Sequence, residues 1–219
     1  MLPKVVIHNS VSLDGSLTNF EPNMELHYRI AGNYKPQVHV IGSNTVRAGV
    51  EMFGNQVTPE KAADFERPTR DPSLPYWAII DTKGALKEIL HTCRRFEYCR
   101  DVVVLISEKT PRAYVEFLKE RNYDYHIVGK EHADLKKTLE LLAEKYKAKK
   151  VLTDTGRVLG NLLLEQGLVS EISLLVHPIL VGSKAYPMFS GLNKNLKLKL
   201  LKQETFEKGL VWLVYKVGK

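Results

Sequence analysis

The sequence predicts an α/β fold, with a mostly parallel central sheet flanked by helices and antiparallel strands added at the C-terminus. Three observations lead there. Short β-branched runs alternate with helically spaced apolar residues through most of the chain, as in strands joined by crossover helices. The run DVVVLIS (101–107) is apolar without alternation, the mark of a strand buried on both faces. The stretch LKLKLLKQETFEKGLVWLVYKV (196–217) alternates instead and carries Lys208-Gly209 near its centre, which reads as a hairpin.

In order, KVVIHNSV (4–11) is expected to be the first strand, ending in the turn SLDGSL. EPNMELHYRIAG (21–32) carries a partial helical stripe of Met24, Tyr28 and Ile30, with Gly32 as its stop. QVHVIG (37–42) is a short strand, and SNTVRAGVEMFG (43–54) starts a helix. Residues 55–75 hold several prolines and many charges, so they form an exposed excursion rather than a linker between domains, because a strand resumes at YWAIID (76–81). TPRAYVEFLKERN (110–122) is a helix with Thr110 as cap and Pro111 at its first position. DYHIVG (124–129) is a strand, and DLKKTLELLAEKY (134–146) a helix built on Leu135, Leu139, Leu142 and Tyr146. KKVLTD (149–154) is a strand, RVLGNLLLEQ (157–166) a helix closed by Gly167, and EISLLVHPILVG (171–182) a strand broken at Pro178. The length, 219 residues, suits a single domain over 1–219.

Composition narrows the function classes. No apolar run approaches the roughly 20 residues of a membrane span, and nothing resembles a secretory leader, so a soluble, cytoplasmic protein is expected. Cys93 and Cys99 lack metal or redox spacing, and reduced thiols are expected in preference to a disulfide. No His, Cys or Asp cluster has metal-ligand spacing. The net charge is +7, concentrated in KKTLELLAEKYKAKK (136–150) and NKNLKLKLLK (193–202). These are solvated lysine faces or the mark of an anionic partner. Neither run interleaves aromatics as a stacking platform for nucleic acid would, so phosphorylated small molecules are the expected partners.

In sheets of this kind ligands bind outside the carboxyl ends of the strands. That rule singles out HNSVSLDG, GSNTVR, DTKG, SEKT and DTGRVLG. In DTGRVLG, Gly156 lets backbone approach a ligand, the amides opening the next helix point at it, and Arg157 adds a fork donor for phosphate. The bland alternative is a polar turn with Asp154 as the helix cap. GSNTVR repeats the arrangement with Gly42, Ser43, Asn44 and Thr45, where Ser43 or Asn44 is alternatively a plain N-cap. Thr82 with Lys83, and Ser107 with Lys109, add phosphate-compatible groups. No P-loop, GxGxxG or GxSxG pattern is present, which removes nucleoside triphosphatases, standard Rossmann dehydrogenases and α/β-hydrolases. On the first strand, alternation puts Val6, His8 and Ser10 on one face and Val5, Ile7 and Asn9 on the other. His8 is either a pocket residue or a satisfied core histidine, and the other six histidines lean toward the second role.

Together SVSLDGS (10–16), VIGSNTV (40–46) and VLTDTGRVLGNLLLEQGLVSEISLLVHPILVGS (151–183) resemble the dihydrofolate-reductase-like fold, and within it the pyrimidine reductases of riboflavin biosynthesis. The resemblance covers about four fifths of the chain, residues 50–75 being unmatched. It implies NADPH as cofactor and reduction of the ribosyl group of 2,5-diamino-6-ribosylamino-4(3H)-pyrimidinone 5′-phosphate, with hydride attacking C1′ of an opened imine. It also implies that Gly42–Thr45 and Thr155–Leu159 (Thr155, Gly156, Arg157, Val158, Leu159) hold the cofactor diphosphate. Thr82, Lys83 and Ser107 would lie near its adenosine half and 2′-phosphate. His8, Asp14 and Asp154 become the expected catalytic set, with Asn9, Ser10, Ser12, Glu25 and Glu51 toward substrate. A homodimer through the late strands is implied as well. Two departures bear on the substrate: the late loop reads DTGR in place of a run of glycines, and an Asp-Asp-Pro segment gives way to RAGVEMFG. The alternative within the same fold is a pterin reductase, with Glu25 facing the pterin ring.

Overall fold

The computed structural model describes residues 1–52 and 57–218. The end of the helix expected over 43–54 and the first residues of the excursion, Phe53–Gln56, lie outside the described residues. The chain forms two compact units, one of residues 1–3 and 36–149, the other of 4–35 and 150–219.

The first unit carries four strands, β2 (Val38–Gly42), β3 (Tyr76–Ile80), β4 (Val102–Ile106) and β5 (Asp124–Ile127), in the spatial order β5-β4-β3-β2. All three pairings are parallel. Its helices are α2 (Ser43–Met52), α3 (Leu90–Arg95), α4 (Arg112–Glu120) and α5 (Leu135–Lys145). Ile41, Ile79, Val104 and Ile106 of the strands pack with Leu86, Leu90, Tyr114 and Leu118 into one core. Removal of such side chains from water is the main favourable term in this fold. β4 is buried at every position, which is why its sequence shows no alternation.

The helix α3 has no counterpart in the sequence reading, although Leu86, Leu90 and Cys93 make a short buried stripe ahead of and along it. At 6 residues it is too short for periodicity to declare itself. α4 opens one residue later than expected, with Pro111 at the N-cap position. The Thr110 hydroxyl is engaged elsewhere: it accepts from the Ser107 N–H (3.0 Å) and donates to the Thr82 carbonyl (2.9 Å). The excursion from residue 57 onward is pinned to this unit. Arg94, buried, donates to the Asp64 carbonyl (2.8 Å) and the Asp101 carboxylate (2.9 Å) and stacks 3.7 Å from the Tyr123 ring centre. Arg95 pairs with the Asp64 carboxylate, and Arg121 with Glu60 (2.8 Å). Both cysteines are buried free thiols, and burial pushes Cys93 up to about 12.

The second unit carries β1 (Lys4–Ser12), β6 (Lys150–Thr153), β7 (Glu171–His177), β8 (Leu198–Thr205) and β9 (Val211–Val217), in the order β6-β1-β7-β9-β8. β1 pairs in parallel with β6 and β7; β9 runs antiparallel to both β7 and β8. The hairpin turns through Lys208 and Gly209, both at positive φ (59° and 73°). The α/β expectation is met: parallel pairing throughout, then antiparallel strands at the C-terminus.

Two helices lie on opposite faces of β1. The first, α1 (Met24–Asn33), faces His8 and Ser10, with Leu26 and Ile30 packed on Leu175, Trp212 and Val214. It is capped by Asn23, whose side chain accepts from the Leu26 N–H (2.9 Å). It runs one residue past Gly32, and the chain reverses at Lys35 (φ 47°). The second, α6 (Arg157–Glu165), follows the loop contacted by Asn9 and ends ahead of Gly167 at φ 66°.

Candidate active site

In the first unit, β2 passes into α2 with no intervening residue: Gly42 ends the strand and Ser43 begins the helix. Gly42, Ser43 and Thr45 are partly exposed and Asn44 is exposed, and no acidic residue occupies the first turn. Amides there lack helical acceptors and carry positive dipole, which suits an anion. Arg47 donates to the Ala85 carbonyl (2.6 Å), tying α2 to the turn after β3. In that turn the Asp81 carboxylate accepts from the Ala85 and Leu86 N–H groups (both 2.9 Å). The fold brings Thr82 and Ser107 together through Thr110. Ser107 is buried, Thr82 half-buried and Lys83 exposed. Thr110, expected as a helix cap, instead organises this corner. Glu51 is exposed near the end of α2.

In the second unit, His8 is fully buried with both ring nitrogens engaged. Nε2 lies 3.1 Å from the His27 carbonyl, which can only accept, so Nε2 carries the proton. Nδ1 must then accept from the Ser173 hydroxyl (2.9 Å), whose oxygen in turn accepts from Trp212 Nε1–H (2.8 Å). Ser10 Oγ meets His27 Nδ1 at 3.1 Å, and the His8 and His27 rings lie 4.5 Å apart, tilted by 31°. Burial, with His27 beside it, pulls His8 down to about 3. His8 is therefore a neutral imidazole at physiological pH. Its geometry is that of a core histidine fastening β1 to α1 and β7, and it holds no spare proton for transfer.

Asp14 is equally committed. It accepts from the Ser12 hydroxyl (2.5 Å) and from the Gly182 and Val181 N–H groups (2.8 and 3.2 Å). Those donors, Ser12 first, hold its carboxyl below the usual carboxylate range. Ser12 Oγ also accepts from the Ser16 N–H (2.8 Å), so SLDG closes on itself and on the segment after β7. Glu25 is exposed in the first turn of α1, where its charge complements the helix dipole.

The other face of β1 leads to α6. Asn9 Nδ2 donates to the Thr155 carbonyl (3.3 Å), fixing the loop Asp154–Gly156. Thr155 is buried and Asp154 partly so. Gly156 is the N-cap, in extended conformation, and no acidic residue sits in the first turn. Arg157 opens the helix, Val158 is exposed and Leu159 half-buried. The Arg157 guanidinium lies 4.0 Å from the Tyr186 ring centre and donates to Ser190 Oγ (2.9 Å). Neither Tyr186 nor Ser190 drew attention in the sequence, because their contact with Arg157 spans about thirty residues and depends on where the segment after β7 folds back.

Among the described residues no His/Cys/Asp/Glu group could hold a metal ion, and no helix is long and apolar enough to cross a membrane.

With this geometry in place, comparisons identify relatives. A curated 2,5-diamino-6-ribosylamino-4(3H)-pyrimidinone 5′-phosphate reductase of Aquifex aeolicus is 25% identical over 213 residues, 91% of this chain and 87% of that one. A pyrimidine reductase-like protein from Corynebacterium diphtheriae superposes with a TM-score of 0.71 at 16% identity, covering 99% of this chain and 92% of that one. Rib7, the riboflavin biosynthesis reductase of Saccharomyces cerevisiae, gives 0.67 at 19% identity, covering 99% and 90%. Acinetobacter baumannii RibD gives 0.70 at 18% identity; this chain is covered over 99% of its length but spans only 58% of that protein. These structural matches establish the dihydrofolate-reductase-like fold. The RibD C-terminal domain model matches residues 3–212, and the chain belongs to that family.

Proposed function

We propose that the chain is a pyrimidine reductase of riboflavin biosynthesis, using NADPH to convert the ribosyl group of 2,5-diamino-6-ribosylamino-4(3H)-pyrimidinone 5′-phosphate to ribityl. The observation that carries this is the family match across residues 3–212, joined to a similarly long relative that bears that activity in its name. The match runs through both compact units, which supports one reductase domain over 1–219.

The residues fit the cofactor. The N-terminus of α6, with Arg157 at its first position, offers amides and a guanidinium to a diphosphate. Within the first unit, Gly42 to Thr45 offer strand-to-helix amides and hydroxyls of the same kind, and Thr82, Lys83 and Ser107 a hydroxyl and ammonium set suited to phosphate. Bound NADPH supplies the hydride that C1′ receives. The protein's own contribution is to orient the reactants and neutralise phosphate, for which the basic balance of +7 is suited. Asn9 fixes the loop of Asp154 and Thr155, while His8, Ser10 and Ser12 keep β1 rigid beneath them. Of the expected catalytic residues, Asp154, on the loop that opens α6, is the one we assign to substrate or the nicotinamide ribose. His8 and Asp14 serve by holding the frame.

The working state is a homodimer in the cytoplasm. On the face of β7-β9-β8 opposite α1, the cross-strand neighbours Leu174 and Leu213, Tyr215 and Leu200, and Val217 and Leu198 form an apolar row. Leu198 and Leu200 are 44% and 45% exposed, and β8 is an edge strand. Exposed apolar surface of this kind is normally covered, and a second copy of the same strands covers it best.

Turnover tests the reading. Mixing the chain with the diaminopyrimidinone substrate should consume NADPH and give the ribityl product, whereas NADPH oxidation with dihydrofolate alone would refute it.

A further inference from the structure

The SLDG turn and the segment after β7 are joined by a dense set of bonds. Leu13 N–H donates to the Ile179 carbonyl (2.9 Å), Leu17 N–H to the Tyr186 carbonyl (3.0 Å), and Met188 N–H to the Gly15 carbonyl (2.9 Å). Ser16 Oγ accepts from the Tyr186 N–H (2.8 Å), and Asn19 Nδ2 donates to the Lys184 carbonyl (2.7 Å). Asp14 brings a carboxylate into this seam, gripping Val181 and Gly182 at the point where Gly182 turns at φ 69°. A few residues on, the same segment presents Tyr186 and Ser190, the two partners of Arg157. Ser190 O also accepts from Asn161 Nδ2 (2.9 Å), one turn further along α6. A chain of direct contacts thus runs from the Asp14 carboxylate to the guanidinium at the head of α6.

We propose that Asp14 is a positioning residue: it fixes segment 178–190 so that Tyr186 and Ser190 hold the Arg157 guanidinium at the N-terminus of α6 for the cofactor diphosphate. This rests on reading the head of α6 as the diphosphate site. The physical basis is that a guanidinium on a free side chain must be ordered at binding, at an entropic cost, whereas one already stacked and hydrogen-bonded is ordered beforehand. Asp14 supplies the order because a carboxylate accepts several N–H and O–H bonds at once. An amide in its place has one acceptor oxygen and turns an NH2 toward the donors.

The test is a double-mutant cycle on the full chain, reading Kd for NADPH and for NADH by nicotinamide fluorescence. Arg157→Ala should weaken both cofactors alike by about 10- to 100-fold, the scale of a lost charged hydrogen bond, because the diphosphate is common to them. Asp14→Asn should weaken both by about three- to tenfold, acting through its neighbours. In the Arg157→Ala background, Asp14→Asn should add less than about twofold. Tyr186→Leu, which cuts the same chain further along, should behave as Asp14→Asn does, and it serves if the latter folds poorly. A full Asp14→Asn effect in the Arg157→Ala background would overturn the proposal. So would an unchanged cofactor Kd with a raised KM for the pyrimidine, which would make Asp14 a substrate contact. If Arg157→Ala alone leaves both Kd values unmoved, the diphosphate reading itself fails, and the positioning role falls with it.

Discussion

Replacing His8 by Gln offers a quantitative test of how β1 is built. In the folded chain His8 is neutral, donating through Nε2 and accepting through Nδ1, with a pKa of about 3 against an ordinary value of 6.5. Its folded pKa is depressed because protonation would place a charge in a buried site beside His27. Above pH 6.5 the residue is neutral in both states, and its contribution to stability is fully present. As pH falls below that, the unfolded chain takes up the proton first, so stability drops until the pH nears the folded value. The slope is at most about 1.4 kcal/mol per pH unit for one histidine. Between roughly pH 6.5 and 4.5 the wild type should thus lose about 2–3 kcal/mol more than His8→Gln, which has nothing to titrate there. Urea unfolding at a series of pH values gives both profiles. Groups not in contact with His8, such as His177, whose pKa burial also lowers, contribute equally to each chain and cancel in the difference. Parallel profiles would show that His8 is not held neutral in the core, and would return it to the list of proton donors.

Three further outcomes are expected. Arg94→Met should cost about 3–5 kcal/mol in chemical unfolding, because it strands the buried Asp101 carboxylate, and replacing Asp101 as well by Leu should recover part of the loss. Gly84→Ala should cost about 1–3 kcal/mol by the same measurement, since Gly84 sits at φ 68° and a Cβ there would lie 2.7 Å from Tyr114 Cγ. Leu200→Asp should give a monomer by light scattering with an intact circular dichroism spectrum, if the exposed row on β8 and β9 is the dimer face.

Much of this arrangement was legible in the sequence because local signals agreed with the fold. The unbroken run of β4, the leucine stripe of α5, and Lys208-Gly209 in the C-terminal hairpin each carry their own physical reason. The loops GSNTVR and DTGRVLG do follow strands and open helices, as read. What could not be read was how polar side chains are used. Alternation places His8 and Asn9 on opposite faces of β1, but only the pairing of β1 with β7 puts Ser173 beside His8. The family resemblance put Asp14 in the expected catalytic set, while its bonds to the backbone amides of Val181 and Gly182 are of a kind no side-chain pattern reveals. Arg94 gave no signal either: a buried arginine is identified by the carbonyls around it, here from residues 64, 121 and 122.

The central claim, hydride transfer to the ribosyl carbon of a pyrimidine, is tested most directly with NADPH carrying deuterium at the transferable C4 position. The account predicts a ribityl product bearing that deuterium at C1′, formed in proportion to the cofactor oxidised. A product without the label, or no product while the same preparation reduces a pterin, would contradict it.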